Sequence, residues 1–175
     1  MTPHNKPLII IVDDDPLQRE LLKDHLSKMS GYQILTFGTG EECIAAGKVR
    51  KPTLVFLDYY LDTQVKDAMD GLEVLKEMKA LHPDVDVVMI SSQDKIEVAV
   101  NSIKYGAFDY IVKGEGAFYR AEKVLFNVYR YNKLKGDADR YKKLTIGLAI
   151  GIVTMFIVAI ALQQMGLIKA NPGWL

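Results

Sequence analysis

The chain has 175 residues, a length that suits one domain of ordinary size and an additional segment. Its 22 basic and 22 acidic residues balance, so no overall positive field suggests a nucleic-acid-binding protein. The single cysteine, Cys43, excludes an internal disulfide, and no cysteine–histidine pattern suggests a zinc site. Cys43 lies in an alanine-rich helical stretch and is predicted to be a small buried residue.

Five short segments are predicted to be β-strands. Two of them are continuous apolar runs and a third is apolar except for Asp86, a pattern typical of strands buried on both faces in a parallel sheet. In chain order the five segments are Leu8–Val12, Tyr32–Phe37, Leu54–Leu57 running into Asp58, Val85–Ile90 and Phe108–Val112.

A helix is predicted after each strand. Each of the first four has a capping residue at its start, and Pro16 suits the first turn of the first helix. The predicted caps are Asp15, Thr39 in a capping box with Glu42, Asp70 and Asp94, and the fifth helix runs from about Ala117 to Lys135. His25 lies near the apolar stripe of the first helix and is predicted to be a packing residue.

Strand and helix therefore alternate five times. This alternation predicts an α/β fold, a parallel sheet with helices on both faces. Because crossovers are right-handed and the loops are short, few topologies remain. We predict a flavodoxin-like (βα)5 doubly wound sheet with strand order 2-1-3-4-5.

Chemically active side chains follow four of these strands. Asp13 and Asp14 follow the first strand, Asp58 ends the third, Ser91 follows the fourth and Lys113 follows the fifth. In an open α/β sheet, ligands bind at the carboxyl ends of the strands. We therefore expect these five side chains to share one edge of the sheet. For any one of them, a turn, a helix cap or a solvated surface position is the ordinary interpretation, and the joint occurrence favours a functional site.

Clustered carboxylates repel one another unless a cation neutralises them or some are protonated. A hard divalent ion with oxygen ligands, above all Mg²⁺, suits Asp14 and Asp58 directly, with Asp13 acting through water. Asp58 could then be a nucleophile toward phosphorus. Lys113 and the Ser91 hydroxyl would hold the other phosphoryl oxygens, since phosphoryl transfer depends mainly on positioning and charge neutralisation.

The sequence resembles the receiver domain of bacterial two-component response regulators from about residue 7 to 135. Motifs at all four relevant strand ends match in order and spacing, and a fifth matching segment begins the third helix. They are Ile-Val-Asp13-Asp14-Asp15-Pro16, Val-Phe-Leu-Asp58, Asp70-Gly71-Leu72-Glu73-Val74-Leu75, Met89-Ile90-Ser91-Ser92 and Gly106-Ala107-Phe108-Asp109-Tyr110-Ile111-Val112-Lys113.

The resemblance implies a phosphorelay in which a sensor histidine kinase phosphorylates Asp58. Asp13, Asp14 and the backbone carbonyl of Tyr60 would complete the Mg²⁺ site. Ser91 would bind a phosphoryl oxygen, and Tyr110 would swing between exposed and buried rotamers. The face built from helix 4, strand 5 and helix 5 would signal to a protein target that the sequence does not identify.

Three features depart from the family pattern. The loop between Asp58 and Gly71 is longer than usual by the segment Thr63–Asp67. Tyr60 is bulky where a smaller polar residue is common, so it would shield the acyl phosphate from water. Gly114 follows the lysine where the family usually has proline, and since a non-proline cis bond costs about 2.5–4 kcal/mol, we predict a trans Lys113–Gly114 bond.

The C-terminal part of the chain is predicted to cross a membrane once. Residues 144–162 carry no charge, and their length at 1.5 Å per residue is close to a hydrocarbon core of roughly 30 Å. Five basic residues precede this segment from Lys133 onward and only Lys169 follows it, which places the receiver in the cytoplasm. Gly147 and Gly151 form a small-xxx-small pair, so a homodimer is an open alternative.

The predicted organisation is a receiver domain over residues 7–135, a basic linker over 136–143, a transmembrane helix over 144–164 and a short extracytoplasmic tail over 165–175. The leading hypothesis is a response regulator anchored in the bacterial inner membrane, a signalling domain that catalyses only its own phosphorylation and dephosphorylation. No nucleic-acid partner is expected.

Two rivals are weighed against this hypothesis. A haloacid-dehalogenase-like phosphatase wants an acid two residues after the nucleophile, and here that residue is Tyr60. A receiver fold used as a phosphorylation-independent docking module would not need the complete set of acids, serine and lysine.

Overall fold

The computed structural model describes residues 6–29, 31–61, 68–92 and 96–165. Five strands and five helices alternate along these residues, as predicted. They are β1 (Leu8–Val12), α1 (Pro16–Ser27), β2 (Gln33–Phe37), α2 (Gly40–Val49), β3 (Leu54–Asp58), α3 (Gly71–Leu81), β4 (Asp86–Ser91), α4 (Ile96–Lys104), β5 (Asp109–Val112) and α5 (Ala117–Gln164).

The five strands form one parallel sheet in the order β2-β1-β3-β4-β5. The predicted flavodoxin-like topology is therefore confirmed. Strands β1 and β3 are neighbours at the centre, with Val12 opposite Leu57. Their carboxyl ends, which carry Asp13 and Asp58, consequently lie side by side.

Both faces of the sheet are covered, because successive side chains of a strand point to opposite faces. Leu8, Ile10 and Val12 pack in a core cluster with side chains of α2 and α3. Ile9 and Ile11 pack in a second cluster with side chains of α1 and α5. This double burial explains why the central strands read as continuous apolar runs.

Side-chain caps begin three of the helices as predicted. Asp15 accepts hydrogen bonds from the backbone of Leu17 and Gln18 at the start of α1. Thr39 accepts one from Glu42 at the start of α2, whereas the Glu42 carboxylate accepts from the backbone of Gly38, so the predicted reciprocal box is one-sided. Two predictions, the Asp94 cap and the segment Thr63–Asp67, lie outside the described residues.

Helix α3 has the complete reciprocal cap. The Asp70 side chain accepts a bond from the Glu73 backbone, and the Glu73 side chain accepts one from the Asp70 backbone. This cap lies directly after the predicted longer loop. It therefore fixes the residue at which α3 begins after the loop that follows Asp58.

Helix α5 continues well beyond its predicted end at Lys135 and reaches Gln164. Residues 136–143, predicted as a linker, are helical. The segment contains no proline, and its one glycine costs a helix only about 1 kcal/mol. The described residues divide into two compact units after Val128.

The second unit contains a segment with the length and composition to cross a membrane. It runs from Arg140 to Gln164, and an 18-residue window within it has a mean hydropathy of 2.6. The segment overlaps the predicted transmembrane helix at 144–164. The boundaries of the predicted domains, including the tail at 165–175, stay predictions.

Gly71 lets the start of α3 approach the end of β3. A Cβ atom on residue 71 would lie 2.1 Å from the carbonyl oxygen of Asp58 and 2.8 Å from that of Tyr59. Real Cβ atoms do not approach backbone oxygen so closely, so any larger residue has to displace the backbone that carries Asp58.

We predict that Gly71→Ala destabilises the chain by about 1–3 kcal/mol, the usual cost of forcing an extra group into a packed site. Thermal unfolding of the full chain measures the change. Gly38→Ala is the matched control, because its Cβ would meet only the flexible tip of Arg19 at 3.4 Å. Equal melting temperatures for the two variants would contradict this account.

Candidate functional site

The carboxyl ends of four strands bring the predicted site together. Asp58, the last residue of β3, is opposite Ile90 of β4, and Ser91 at the end of β4 is opposite Val112 of β5. The backbone N–H of Lys113 donates to the Ser91 carbonyl at 2.7 Å. Lys113 is therefore held at the sheet edge next to Asp58.

Lys113 joins the two central acids. Its Nζ lies 2.6 Å from Oδ2 of Asp58 and 2.8 Å from Oδ2 of Asp13. Both carboxylates are buried, and the lysine side chain is 22% exposed. A buried charge is tolerated when it is paired and hydrogen-bonded. The contacts thus form a single buried charge cluster with one shared ammonium group.

Burial and pairing act in opposite directions on these groups. Burial raises the pKa of Asp58, and the neighbouring Asp13 raises it further, against the opposing effect of Lys113 and of the Tyr60 backbone. For Lys113, burial lowers the pKa, but its hydrogen bonds to Asp13 and Asp58 more than offset this, so the net pKa is raised. Lys113 therefore stays charged, while the Asp58 carboxyl has a reduced tendency to ionise.

The three acids also form a set that could hold a metal ion. One carboxylate oxygen from each of Asp13, Asp14 and Asp58 lies within 4.8 Å of the others, and Asp14 is the least buried of the three. Carboxylate oxygens are the donors that Mg²⁺ prefers. The donor set fits a hard divalent cation, and Asp14 offers it an approach from solvent.

Backbone contacts fix the loop that carries the acids. Oδ1 of Asp13 accepts from the Asp15 N–H at 3.0 Å, and the Arg19 guanidinium donates to the Asp13 carbonyl. Oδ1 of Asp58 accepts from the Tyr60 N–H at 3.2 Å. Each acid thus presents its Oδ2 to Lys113 while Oδ1 is held by the main chain.

The other predicted residues lie around this cluster. Ser91 is fully buried at the end of β4, and Tyr110 is half-buried and packs against a core cluster. Tyr60 is 43% exposed, and its ring contacts the edge of the Tyr59 ring at 4.8 Å between centroids. The predicted trans Lys113–Gly114 bond is confirmed.

Sequence reasoning missed Arg19 and the pairing of His25. Nε2 of His25 lies 2.9 Å from Oε2 of Glu122, and its ring lies 5.9 Å from that of Phe118. His25 therefore links α1 to α5 through a polar contact as well as packing. Arg19 follows the Asp15 cap by one helical turn, a spacing that could have indicated a contact with the acid loop.

A cavity of about 260 Å³ adjoins the charge cluster between α1 and α5. Asp13 and Lys113 line one part, and apolar residues such as Leu21, Ile90 and Phe118 line another. The cluster therefore borders an apolar space as well as the sheet edge.

Comparisons with known proteins agree in family. A family model described as the response regulator receiver domain matches residues 9–118. The nitrogen assimilation regulatory protein NtrX of Azorhizobium caulinodans is 41% identical over 109 residues, which cover 60% of this chain and 22% of that protein. The transcriptional regulatory protein MalR of Bacillus subtilis is 32% identical over 145 residues, which cover 77% of this chain and 60% of that protein.

Solved structures give the same result. The crystal structure of the receiver domain of NtrX from Brucella abortus is 39% identical, with a TM-score of 0.61, over 69% of this chain and 96% of that one. A CheY-like receiver domain protein from Methanospirillum hungatei is 26% identical, with a TM-score of 0.62, over 74% and 98%. The chain spans less than two thirds of the length of both curated relatives.

We predict that Mg²⁺ stabilises a Lys113→Met variant more than it stabilises the parent chain. Removing the ammonium leaves two buried carboxylates unpaired, which lowers the free energy of unfolding by roughly 3–5 kcal/mol without metal. A divalent cation can then take over the neutralisation and stabilise by mass action. Thermal unfolding with and without Mg²⁺ measures both effects.

Lys23→Met is the matched control, because Lys23 pairs with Glu20 on the exposed surface of α1. It is expected to melt like the parent with and without Mg²⁺. An identical response to Mg²⁺ in the parent and in Lys113→Met would show that the lysine and the cation do not share these carboxylates.

Proposed function

The chain belongs to the response regulator receiver domain family, and we propose that it is a membrane-anchored response regulator that is phosphorylated on Asp58. Response regulators receive their phosphoryl group from sensor histidine kinases, and such a kinase is the proposed donor here. One observation carries the proposal. Lys113 joins Asp13 and Asp58, which are 100 and 55 residues away in the chain, at one edge of the sheet.

The proposed transfer is a displacement at phosphorus. An Asp58 carboxylate oxygen forms the new P–O bond, the P–N bond of the kinase phosphohistidine breaks, and the imidazole leaves with the electron pair of that bond. Lys113 holds a phosphoryl oxygen, since its ammonium already lies at hydrogen-bonding distance from the acceptor. A Mg²⁺ ion held by Asp13, Asp14, Asp58 and the Tyr60 carbonyl would neutralise the negative charge of the transferring group.

The main chain and Lys113 contact different oxygens of the Asp58 carboxyl. Oδ1 of Asp58 accepts from the Tyr60 N–H, whereas Oδ2 accepts from the ammonium at the end of the Lys113 side chain. The lysine can transfer its bond from Oδ2 to the incoming phosphoryl oxygen. Asp13 has the same two kinds of contact, so we assign the phosphoryl group to Asp58 because its motif, Val-Phe-Leu-Asp58 at the end of β3, resembles that of the phosphorylated aspartate of the family.

Phosphorylation is proposed to change the α4–β5–α5 face. Ser91 would turn to the phosphoryl oxygen, and Tyr110 would follow by changing its rotamer. Large apolar residues on α4 are exposed, namely Ile96 at 78%, Val100 at 58% and Ile103 at 50%. Exposed apolar residues on one helix are typical of a surface for a protein partner, so this face is the proposed output surface.

The membrane anchor is proposed from residues 140–164. The segment is long and apolar enough to span a bilayer, and basic residues are concentrated on its N-terminal side. The positive-inside rule then puts the receiver in the cytoplasm of a bacterium. The chain would signal at the inner membrane.

Acetyl phosphate with Mg²⁺ is expected to add one phosphoryl group to the full chain, detected by intact mass and located at Asp58 by peptide mapping. Asp58→Asn should abolish the gain, because an amide oxygen is a poor nucleophile. Asp15→Asn is the matched control, since asparagine also caps a helix and Asp15 lies outside the charge cluster. A parent chain that gains no mass would favour the phosphorylation-independent docking module.

The full chain is expected to remain with membranes after alkaline carbonate washing. Ile152→Arg combined with Ile157→Arg should release it, since each arginine at the centre of a span costs about 2.5–3.5 kcal/mol. Val49→Arg, at a position 89% exposed near the end of α2, is the control and should stay bound. A parent chain found in the soluble fraction would refute the anchor without affecting the phosphorylation result.

A further inference from the structure

The part of α5 between the receiver core and the apolar span carries a regular apolar stripe. From residue 130 to 143, the only residues with apolar or aromatic side chains are Tyr131, Leu134, Ala138 and Tyr141. Their spacing is three, four and three residues. This is the a/d spacing of a heptad, in which Tyr131 and Ala138 take the a positions and Leu134 and Tyr141 the d positions.

The surroundings make the stripe informative. The remaining positions from 130 to 143, outside the stripe, are all charged except Asn132 and Gly136. Tyr131 is 64% exposed, Leu134 is 65% exposed and Tyr141 is 71% exposed. Within the span itself almost any register would be apolar, so residues 130–143 decide the register. A solvated helix would not need large apolar side chains at these positions alone.

We propose that this stripe pairs with the same stripe of a second copy of the chain, as a parallel, in-register coiled coil that continues into the span. The same register leads without interruption to Thr145, Leu148, Ile152 and Met155, which take alternate a and d positions. Leu148 at d between the β-branched Thr145 and Ile152 at a is the combination that suits two-stranded parallel packing. The partner is thus a second copy whose α5 lies alongside.

The parallel direction rests on the proposed membrane anchor. If residues 140–164 span the bilayer with one orientation, two copies insert side by side in the same direction. The flanking charges are then partly complementary. Between parallel copies, a residue at g faces the residue at e five positions later in the other chain. Asp137 at g and Lys142 at e have opposite charges and attract. Arg130 at g and Lys135 at e have the same charge and repel.

Two other arrangements are weaker. A helix lying flat on the membrane would need a break before the span, whereas α5 is one continuous helix without proline from Ala117 to Gln164. The Gly147 and Gly151 pair lies at c and g positions, away from the stripe, and favours right-handed crossing near −40°. A heptad stripe favours left-handed crossing near +20°. Pairing through the glycines would separate the two stripes outside the membrane.

Disulfide cross-linking of the full chain in native membranes tests the proposal. Single cysteines are placed in a Cys43→Ala background, with Leu134→Cys and Tyr141→Cys on the stripe. Lys133→Cys and Arg140→Cys are the matched controls, because both lie next to stripe residues but at c positions. The expected result is a cross-linked fraction several-fold higher for both stripe variants than for both controls.

Each other outcome is decisive. Preferential cross-linking at Lys133→Cys and Arg140→Cys would place the contact on the glycine side and overturn the stripe. Equal, low cross-linking at all four sites in carbonate-washed membranes would overturn the pairing and leave the anchor standing. Recovery of the chain in the soluble fraction would overturn the anchor and with it the parallel pairing, and Leu134→Cys would then distinguish a soluble dimer from a monomer.

Discussion

The shared contact of Lys113 with Asp13 and Asp58 is the interaction on which the site depends. Two buried carboxylates within reach of one another repel, and burial adds to the cost of keeping both charged. One ammonium group bound to both at 2.6 and 2.8 Å offsets this repulsion. The contact holds the Asp58 carboxyl in place, and the proposed phosphoryl transfer requires only that the lysine side chain exchange this partner for another.

The position of Lys113 comes from sheet register more than from the loop that follows it. Its N–H donates to the Ser91 carbonyl, so it continues the β4–β5 ladder by one residue. The loop after Lys113 has no comparable packing at its first residue, since a Cβ atom on Gly114 would meet nothing within 4 Å. Gly114 also has a φ of +146°. The loop can therefore differ from the family pattern without moving the ammonium. The family's proline is not needed to aim this lysine.

The sheet and the cluster could be predicted because their signals are local. Apolar runs and capping residues such as Asp15 and Asp70 define the elements, and the alternation of strands and helices then leaves little freedom in the order of the sheet. Contacts between distant surface residues have no such signal. The His25–Glu122 pair bridges 97 residues, and the close approach of Gly71 to the Asp58 carbonyl depends on backbone geometry that no residue pattern reports.

The predicted end of α5 at Lys135 is wrong, because the helix continues to Gln164. Up to Val128 its buried residues belong to the receiver core, so periodicity indicates a helix there. Beyond that point about half of the residues up to Lys143 are charged, and a charged segment between two apolar ones resembles a linker. Yet charged residues such as lysine and arginine are good helix formers, and nothing between Tyr129 and Gln164 stops the backbone hydrogen-bond pattern. Along α5 the helix continues, but several of its side chains are buried in the receiver core up to Val128, whereas the large apolar ones in the charged part are exposed. In that part, the spacing of the few apolar residues is therefore what indicates which side of the helix could pack against another helix.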